Sequence, residues 1–265
     1  MQLAFTKMNG AGNDFVLIDN REKKVCLSAI QVAKLCHRQR GVGADGVILW
    51  KDCNHNEAKW AWQFFNSDGS EADMCGNGAR CFARFVANKT PNENEVSFLT
   101  GCGVIRAHLG ENGVTVNLTD PEDLRLNECI DLSTGLCEVH SVNTGVPHAV
   151  LFVKNADAAM VDDLGEEIRR HSHYAPHGAN VNFVQMLAPG HIRVRTYERG
   201  VGETLACGTG VSASALIASK IHAFKPPVKV EVLGGDVLSV NFNSELRDTQ
   251  LTGPAEFVYE GIIEI

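Results

Sequence analysis

Hydrophobic and polar positions along the chain fall into short apolar runs or alternate with a period of two far more often than they follow a helical period. A short apolar run between turn residues is typical of a buried strand, and alternation is typical of a strand with one exposed face. These patterns predict strands at residues 15–18, 47–50, 61–65, 114–118, 191–197, 228–232 and 237–240. Gly234 and Gly235 separate the last two, which predicts a hairpin.

Helical patterns are fewer. Ser28 is a favourable N-terminal cap for a helix. Its helical pattern continues through His37, and the helix is predicted to end near Gly41. Further helices are predicted at residues 156–171, at about 77–87 and at about 209–221. Strands and helices are therefore mixed in both halves of the chain, but they do not alternate one for one. That order favours an α+β fold over a doubly wound parallel sheet.

An internal repeat relates the two halves. Residues 65–78 align with residues 197–210 without a gap, at a constant offset of 132. The identical pairs are Glu71/Glu203, Cys75/Cys207, Gly76/Gly208 and Gly78/Gly210. A weaker similarity, at an offset of 134, relates residues 9–18 to residues 143–152. The repeat predicts two halves of similar topology that divide near residues 119–123.

Composition and charge exclude several classes of protein. The 24 basic and 32 acidic residues give a net charge of −8, and no basic stripe is present, so we expect no nucleic-acid partner. No apolar run approaches the ~18–20 residues of a membrane span. The first residues also lack the apolar core of a signal peptide. We therefore expect a cytoplasmic protein with no membrane partner.

The repeated Cys-Gly-x-Gly motifs carry the candidate chemistry. Nine cysteines without a C-x-x-C motif are expected to be free thiols. Cys75 and Cys207, however, each stand directly before a predicted helix. Unpaired N–H groups and the partial positive charge of a helix start favour a bound anion, and they lower the pKa of a nearby thiol. Each motif thus predicts an ionisable thiol beside a small anion site.

Two such motifs predict a site shared by the halves, suited to inversion of a carbon next to a carboxylate. One thiolate removes the α-proton, the opposing thiol delivers a proton to the other face, and the helix starts hold the carboxylate. This chemistry needs no cofactor. We expect no metal site, because His171, His173 and His177 lie in a loop without a cysteine. Residues 41–46 are glycine-rich but follow a helix, which excludes a dinucleotide loop.

These motifs resemble the diaminopimelate epimerase family. The matching blocks are residues 7–15, 65–71, 75–81, 147–148, 198–204 and 207–210. The resemblance implies two pseudo-symmetric α+β domains, each a curved, mostly antiparallel sheet wrapped around a central helix. It implies one domain of residues 1–120 joined by a last strand at about 254–265, and a second of residues 121–253. It further implies a cofactor-independent homodimer that converts LL-diaminopimelate to meso-diaminopimelate for lysine and peptidoglycan synthesis.

The resemblance also implies roles for individual residues. Cys75 and Cys207 match the acid/base thiols, and His148 and Glu198 match residues that assist them. The matches to substrate-binding positions are Asn13, Asn66, Gly76, Asn77, Asn180, Glu198, Arg199, Gly208 and Thr209.

Two departures leave the substrate range open. Val146 stands where the family commonly has an asparagine that grips the distal end of the substrate, and Gly46 stands where some members have glutamine. One alternative is therefore a racemase that also accepts a shorter acidic amino acid such as glutamate. Another is a thiol redox protein in which Cys75 and Cys207 form a working disulfide, although the absence of C-x-x-C argues against it.

Overall fold

The computed structural model describes residues 1–90 and 94–265. The chain divides into unit 1, residues 1–116 with 253–265, and unit 2, residues 117–252. The elements of unit 1 are β1 (Gln2–Gly10), β2 (Asn13–Asp19), α1 (Ala29–Cys36), β3 (Gly46–His55), β4 (Ala58–Asn66), β5 (Glu71–Ala72), α2 (Gly76–Lys89), β6 (Glu95–Thr100), β7 (Gly103–Gly110), β8 (Gly113–Asn117) and, from the end of the chain, β18 (Glu256–Glu264). Unit 2 is built from β9 (Glu122–Leu132), β10 (Gly135–Asn143), β11 (Pro147–Phe152), α3 (Val161–Arg170), β12 (Asn180–Ala188), β13 (His191–Glu198), β14 (Gly202–Thr204), α4 (Gly208–His222), β15 (Val228–Val232), β16 (Val237–Asn241) and β17 (Gln250–Gly253).

The sheet of unit 1 is mostly antiparallel. β1 lies between β18 and β2, β3 joins β2 in parallel, and β4 pairs antiparallel with β3. β4 then pairs with β5 and, in parallel, with β6, and the β6–β7–β8 meander follows. Unit 2 repeats every one of these pairings: β10 lies between β9 and β11, β12 and β13 follow, β13 pairs with β14 and β15, and β16 and β17 complete the sheet.

A central helix fills the concave face of each sheet. α2 packs against β1, β2 and β3 near one end of the sheet and against β6 and β7 near the other, so the sheet must curve around it. α4 packs in the same way against strands from β10 to β16. Both helices are buried on nearly every side, which explains the small and apolar residues of α4.

The opposite face of each sheet is covered by a second helix. The Val32 and Leu35 side chains of α1 pack with Val16, Val47 and Leu49, the residues that point away from α2. α1 begins with a capping box between Ser28 and Gln31, as the sequence predicts. In unit 2, α3 packs against β12, β13 and β14. Strands covered on both faces read as unbroken apolar runs, which is the pattern of residues 15–18 and 47–50.

The structure confirms the predicted fold class, and each predicted strand and helix overlaps an element of that type. α1 ends at Cys36, before Gly41. α3 begins at Val161 instead of residue 156, because the carbonyl groups of Ala156, Asp157 and Ala159 accept hydrogen bonds from Arg195. The weaker sequence similarity, at an offset of 134, is one position out of register. The strand pairing makes Phe15 of β2 equivalent to His148 of β11, which is an offset of 133.

Candidate active site

Cys75 is the residue that begins the central helix of unit 1. Its backbone is extended, with φ −149° and ψ 119°, and its sulfur accepts a hydrogen bond of 3.4 Å from the first-turn N–H of Gly78. Its thiol lies 3.5 Å from the side-chain oxygen of Asn13. The side chain is half-buried, so the sulfur is held in place and remains accessible.

The orientation of Asn13 is set by a charged network behind it. Its Nδ2 donates to Asp45 Oδ2 at 2.7 Å, which leaves the Oδ1 atom facing the Cys75 thiol. Arg38 in turn bonds both Asp45 and Asp14. Burial raises the pKa of Asp14, but hydrogen bonds from Arg38 and Lys7 outweigh that effect and bring the pKa down to about 2. Asp45 is therefore a positioning residue that the sequence motifs did not identify.

A buried arginine holds the first turn of α2. Arg80 is fully buried and donates to the carbonyl of Pro254, to the carbonyl of Gly76 and to the side-chain oxygen of Asn77. Asn77 is itself 2% exposed, and this bond turns its side chain along the helix. The side chain of Asn77 therefore shapes the backbone cradle at the helix start.

Replacing Arg80 with methionine is expected to lower the free energy of unfolding by about 1.5–3 kcal/mol, the range for hydrogen bonds to a charged group. Methionine fills similar volume but cannot donate to the three oxygen acceptors. Urea unfolding monitored by circular dichroism measures the change. The exposed Arg84 on the same helix supplies the control, Arg84→Met. Equal stability of the two variants would contradict this role of Arg80.

Asn66 and Gly46 lie opposite each other on β4 and β3. Asn66 is exposed, and its amide donates to the Ser70 hydroxyl at 3.1 Å. A Cβ atom at Gly46 would lie 2.6 Å from the carbonyl oxygen of Phe65 and 2.7 Å from the ring of Phe64. The surrounding chain thus has no room for a glutamine side chain at position 46.

Cys207 begins the central helix of unit 2 in the same extended conformation, with φ −116° and ψ 109°. It is 6% exposed, and its sulfur lies 3.5 Å from the Thr209 hydroxyl. Burial and then the negative charge of Glu198 raise its pKa well above the usual value, despite the nearby Thr209 hydroxyl. The expectation that a helix start lowers this pKa is therefore wrong for Cys207, because desolvation outweighs the helix. Cys207 is a protonated thiol at neutral pH.

Glu198, Arg199 and Asn180 are adjacent in space. The Thr204 hydroxyl donates to Glu198 at 2.6 Å, which fixes the carboxylate next to Cys207. The Asn180 side-chain oxygen accepts from the backbone N–H of Arg199 at 2.9 Å, and the Arg199 guanidinium donates to the His177 carbonyl. The fold therefore brings Asn180 beside the consecutive residues Glu198 and Arg199.

His148 is 1% exposed and lies in the floor of unit 2 under α4. Its Nδ1 atom lies 3.1 Å from the amide nitrogen of Asn182. Burial, and secondarily the positive charge of Arg199, lowers the pKa of His148 to about 3. The imidazole is therefore neutral at neutral pH and cannot act as a cationic acid.

Val146 lies in a tight turn that is tied to the start of α4. The Thr144 hydroxyl donates to the carbonyl of Thr209 at 3.0 Å, and the Thr144 N–H donates to the carbonyl of Val146. This turn leads directly into His148 on β11. The departure at Val146 thus lies in a segment that is bound to the backbone cradle of Cys207.

Neither unit holds a metal centre within the described ranges: no cluster of three or more His, Cys, Asp or Glu side chains there is arranged to bind an ion. His173 instead contacts Glu128 at 3.2 Å. All nine cysteines are free thiols. No helix among residues 1–90 and 94–265 is long and apolar enough to cross a membrane.

Known proteins resemble this chain over nearly its whole length. The family model for diaminopimelate epimerase matches residues 5–123 and 140–258. The diaminopimelate epimerase of Aquifex aeolicus (strain VF5) is 43% identical, covering 98% of this chain and 97% of the relative. The diaminopimelate epimerase of Hydrogenobaculum sp. (strain Y04AAS1) is 41% identical, covering 98% of each chain.

Solved structures share the fold at much lower identity. A phenazine biosynthesis protein of the PhzF family from Bacillus anthracis matches with a TM-score of 0.73 at 14% identity, covering all of both chains. A probable proline racemase from Agrobacterium radiobacter K84, solved with bound carbonate, matches with a TM-score of 0.73 at 18% identity, covering 99% of this chain and 92% of that chain. The match of the family model to both units and the two relatives at 41% and 43% identity agree with the paired cysteines at the helix starts, and the chain belongs to the diaminopimelate epimerase family.

Proposed function

We propose that this protein interconverts LL-diaminopimelate and meso-diaminopimelate without a cofactor, by inversion at one α-carbon between two thiols. The observation that carries the proposal is the equivalence of Cys75 and Cys207. Each is the residue that begins the central helix in one of two copies of the same fold. Inversion requires a proton acceptor on one face of the carbon and a donor on the other, which a pair of equivalent thiols supplies.

The electrostatics of unit 2 favour a division of labour between the thiols. Burial and Glu198 keep Cys207 protonated by raising its pKa, so Cys207 is the proton donor in the resting enzyme. The complementary role of base then belongs to Cys75. After one turnover the roles are exchanged, and the enzyme is ready for the reverse reaction. The N–H groups at the helix starts stabilise the negative charge that moves onto the α-carboxylate.

The other residues of the two half-sites are assigned to binding. Gly76-Asn77 and Gly208-Thr209 cradle the reacting carboxylate. Glu198 and His148 bind near the reacting centre and steer protons, and Arg199 pairs with the distal carboxylate. The amide side chains that contact substrate are Asn13, Asn66 and Asn180.

Exchange of the α-proton in D₂O tests this function. We expect the reduced protein, with no added cofactor, to incorporate deuterium at the α-carbon of diaminopimelate and to interconvert the two isomers. NMR follows the exchange, and chiral chromatography follows the isomers. A redox protein or a binding protein would leave the α-proton in place, so absence of exchange in the reduced protein refutes the proposal.

The Val146 substitution supports a second, slower activity on a shorter acidic amino acid. Valine offers no amide that a distal group must satisfy, so a substrate lacking that group is penalised less. One neutral hydrogen bond is worth about 0.5–1.5 kcal/mol, so discrimination is expected to relax roughly 2–10-fold. Diaminopimelate remains the best substrate, because Arg199 still pairs with a distal carboxylate.

Val146→Asn is therefore expected to suppress exchange of glutamate or aspartate more than exchange of diaminopimelate. Relative kcat/KM values for the three amino acids measure the effect. The conservative variant Val146→Ile is the control and should leave the ratios as they are in the wild type. The same substrate ratio in Val146→Asn and wild type would show that Val146 does not affect specificity.

We also propose that the enzyme acts in the cytoplasm as a homodimer, which rests on the resemblance to the family. Light scattering of the purified protein measures its mass in solution. A single 28.7 kDa species at micromolar concentration would refute the dimer.

A further inference from the structure

A chain of buried polar side chains crosses three neighbouring strands of unit 2. His148 on β11, Asn182 on β12 and Thr196 on β13 are 1%, 0% and 4% exposed. The Thr196 hydroxyl donates to Asn182 Oδ1 at 2.9 Å, and Asn182 Nδ2 lies 3.1 Å from His148 Nδ1. Burying an amide and an imidazole costs free energy unless each group is hydrogen-bonded, so this chain needs an explanation.

The direction of these hydrogen bonds determines the protonation of His148. Asn182 Nδ2 also donates to the carbonyl of Ala149 at 3.0 Å, and a carbonyl can only accept. The amide therefore presents an N–H group to His148, and the Nδ1 atom must accept it. The proton of the neutral imidazole then lies on Nε2.

The Nε2–H group of His148 is the last member of this series of hydrogen-bonded side chains. It is buried and meets no hydrogen-bond partner within the described part of the protein. Because the low pKa of His148 keeps the ring neutral, this group can donate a hydrogen bond but does not carry a positive charge. A buried donor without a partner is costly unless a ligand completes it.

The repeat provides an internal comparison for the same place in the fold. Strand pairing makes Phe15, Ile48 and Phe64 of unit 1 the counterparts of His148, Asn182 and Thr196. The first turn of each central helix lies over these residues. A Cβ atom at Gly78 would meet Ile48 at 3.3 Å and Phe15 at 3.4 Å.

The equivalent glycine in unit 2 meets polar atoms instead. A Cβ atom at Gly210 would lie 2.3 Å from Asn182 Oδ1 and 3.3 Å from Thr196 Oγ1. The residues under the first turn of the central helix are therefore apolar in unit 1 and polar in unit 2, although the fold is the same. The polar chain is not required to support the helix, which points to a role at the end of the chain, His148.

We infer that Asn182 and Thr196 are positioning residues that hold His148 as its Nε2–H tautomer, ready to donate a hydrogen bond to an anionic group of the loaded site. This inference rests on the proposed epimerisation for the identity of the loaded site. Thr196 fixes the amide of Asn182, Asn182 fixes the imidazole, and neither needs to touch the substrate. The carboxylate of the bound amino acid is the anion that an ammonium-bearing substrate offers, since an ammonium group has no lone pair to accept a hydrogen bond.

The tautomer can be read directly in the ligand-free protein. ¹⁵N NMR of protein labelled at histidine should show Nδ1 of His148 unprotonated and Nε2 protonated across neutral pH, with the signals assigned by their loss in His148→Gln. Asn182→Asp replaces the donor with a carboxylate of the same shape, which should draw the proton to Nδ1. An Nδ1-protonated His148 in the wild type would overturn the inference.

Kinetics then test whether the tautomer matters. Asn182→Asp should lower kcat by about 10–100-fold, as loss of a group that orients a metal-bound imidazole does, with little change in KM. Thr196→Val should lower kcat by about 2–10-fold, the worth of one neutral hydrogen bond, and Thr196→Ser should restore it. Ser214→Ala removes a buried hydroxyl that donates to the Gly210 carbonyl within the same helix, and it should retain the wild-type rate.

The outcomes separate this inference from the proposed function. Wild-type kcat in folded Asn182→Asp with a reversed tautomer would refute the positioning role. Equal loss in Thr196→Val and Thr196→Ser would also refute it, because the hydroxyl would then be irrelevant. If the wild type exchanges no α-proton at all, the proposed function fails, whereas the NMR signals of the ligand-free protein still decide the tautomer.

Discussion

Alanine at either Cys75 or Cys207 is expected to reduce kcat for epimerisation by at least the ~10²–10⁴-fold that one general acid or base contributes. Each thiol serves one face of the α-carbon in the proposed mechanism, so its loss removes the proton donor or acceptor that is placed for that face. Asn13 beside Cys75 does not titrate, and His148 has a pKa of about 3. Rates of interconversion, measured by chiral chromatography, check the prediction.

The exposed Cys26 provides the matched control, and Cys26→Ala should keep the wild-type rate. Serine variants at the two helix starts should also be severely impaired, because a hydroxyl is a far weaker acid than a thiol. Turnover near the wild-type value in either alanine variant would exclude the two-thiol mechanism.

Air oxidation should abolish activity, and a thiol reductant should restore it. The proposed mechanism brings both thiols to one carbon, so a disulfide between Cys75 and Cys207 is the expected product. Disulfide formation needs a thiolate, and burial raises the pKa of Cys207, so inactivation should accelerate as the pH rises. Peptide mapping by mass spectrometry identifies the bridge, and the activity assay follows its reduction.

Two other sets of thiols help to interpret that experiment. Burial raises the pKa values of Cys36 and Cys81 to about 12, so both should stay reduced. Cys129 is exposed, and Cys129→Ser should inactivate on oxidation at the wild-type rate. An inactive oxidised protein that retains all nine titratable thiols would refute the disulfide explanation.

The sequence predicted the central helices well because the repeat marked both of their starts. α2 and α4 begin at Gly76 and Gly208, within one residue of the prediction. Strands with one exposed face were harder to find. β9, for example, carries charged residues along Glu122–Leu132 and is half-exposed through most of its length, so its apolar positions are too sparse to form a pattern.

Residues of the candidate site were likewise predicted best where they lie in the repeated motifs. Motifs identified the residues at the helix starts, and the structure showed Glu198 beside Cys207 and Asn180 beside Arg199. Motifs did not identify Asn182, whose importance depends on the pairing of β11, β12 and β13. The direction of the Cys207 pKa shift was also beyond the sequence, because it depends on how deeply the thiol is buried.

The pairing of β1 with β18 has a consequence for the order of folding during synthesis. Leu3 lies opposite Ile263, so the sheet of unit 1 joins residues separated by almost the whole chain. All of unit 2, with Cys207, leaves the ribosome before β18 does. Unit 2 can therefore complete its sheet first. Until β18 is synthesised, one edge of β1 remains unpaired and can pair with another nascent chain. The half that carries Cys75 is therefore completed last, because its sheet lacks an edge strand until β18 has been synthesised.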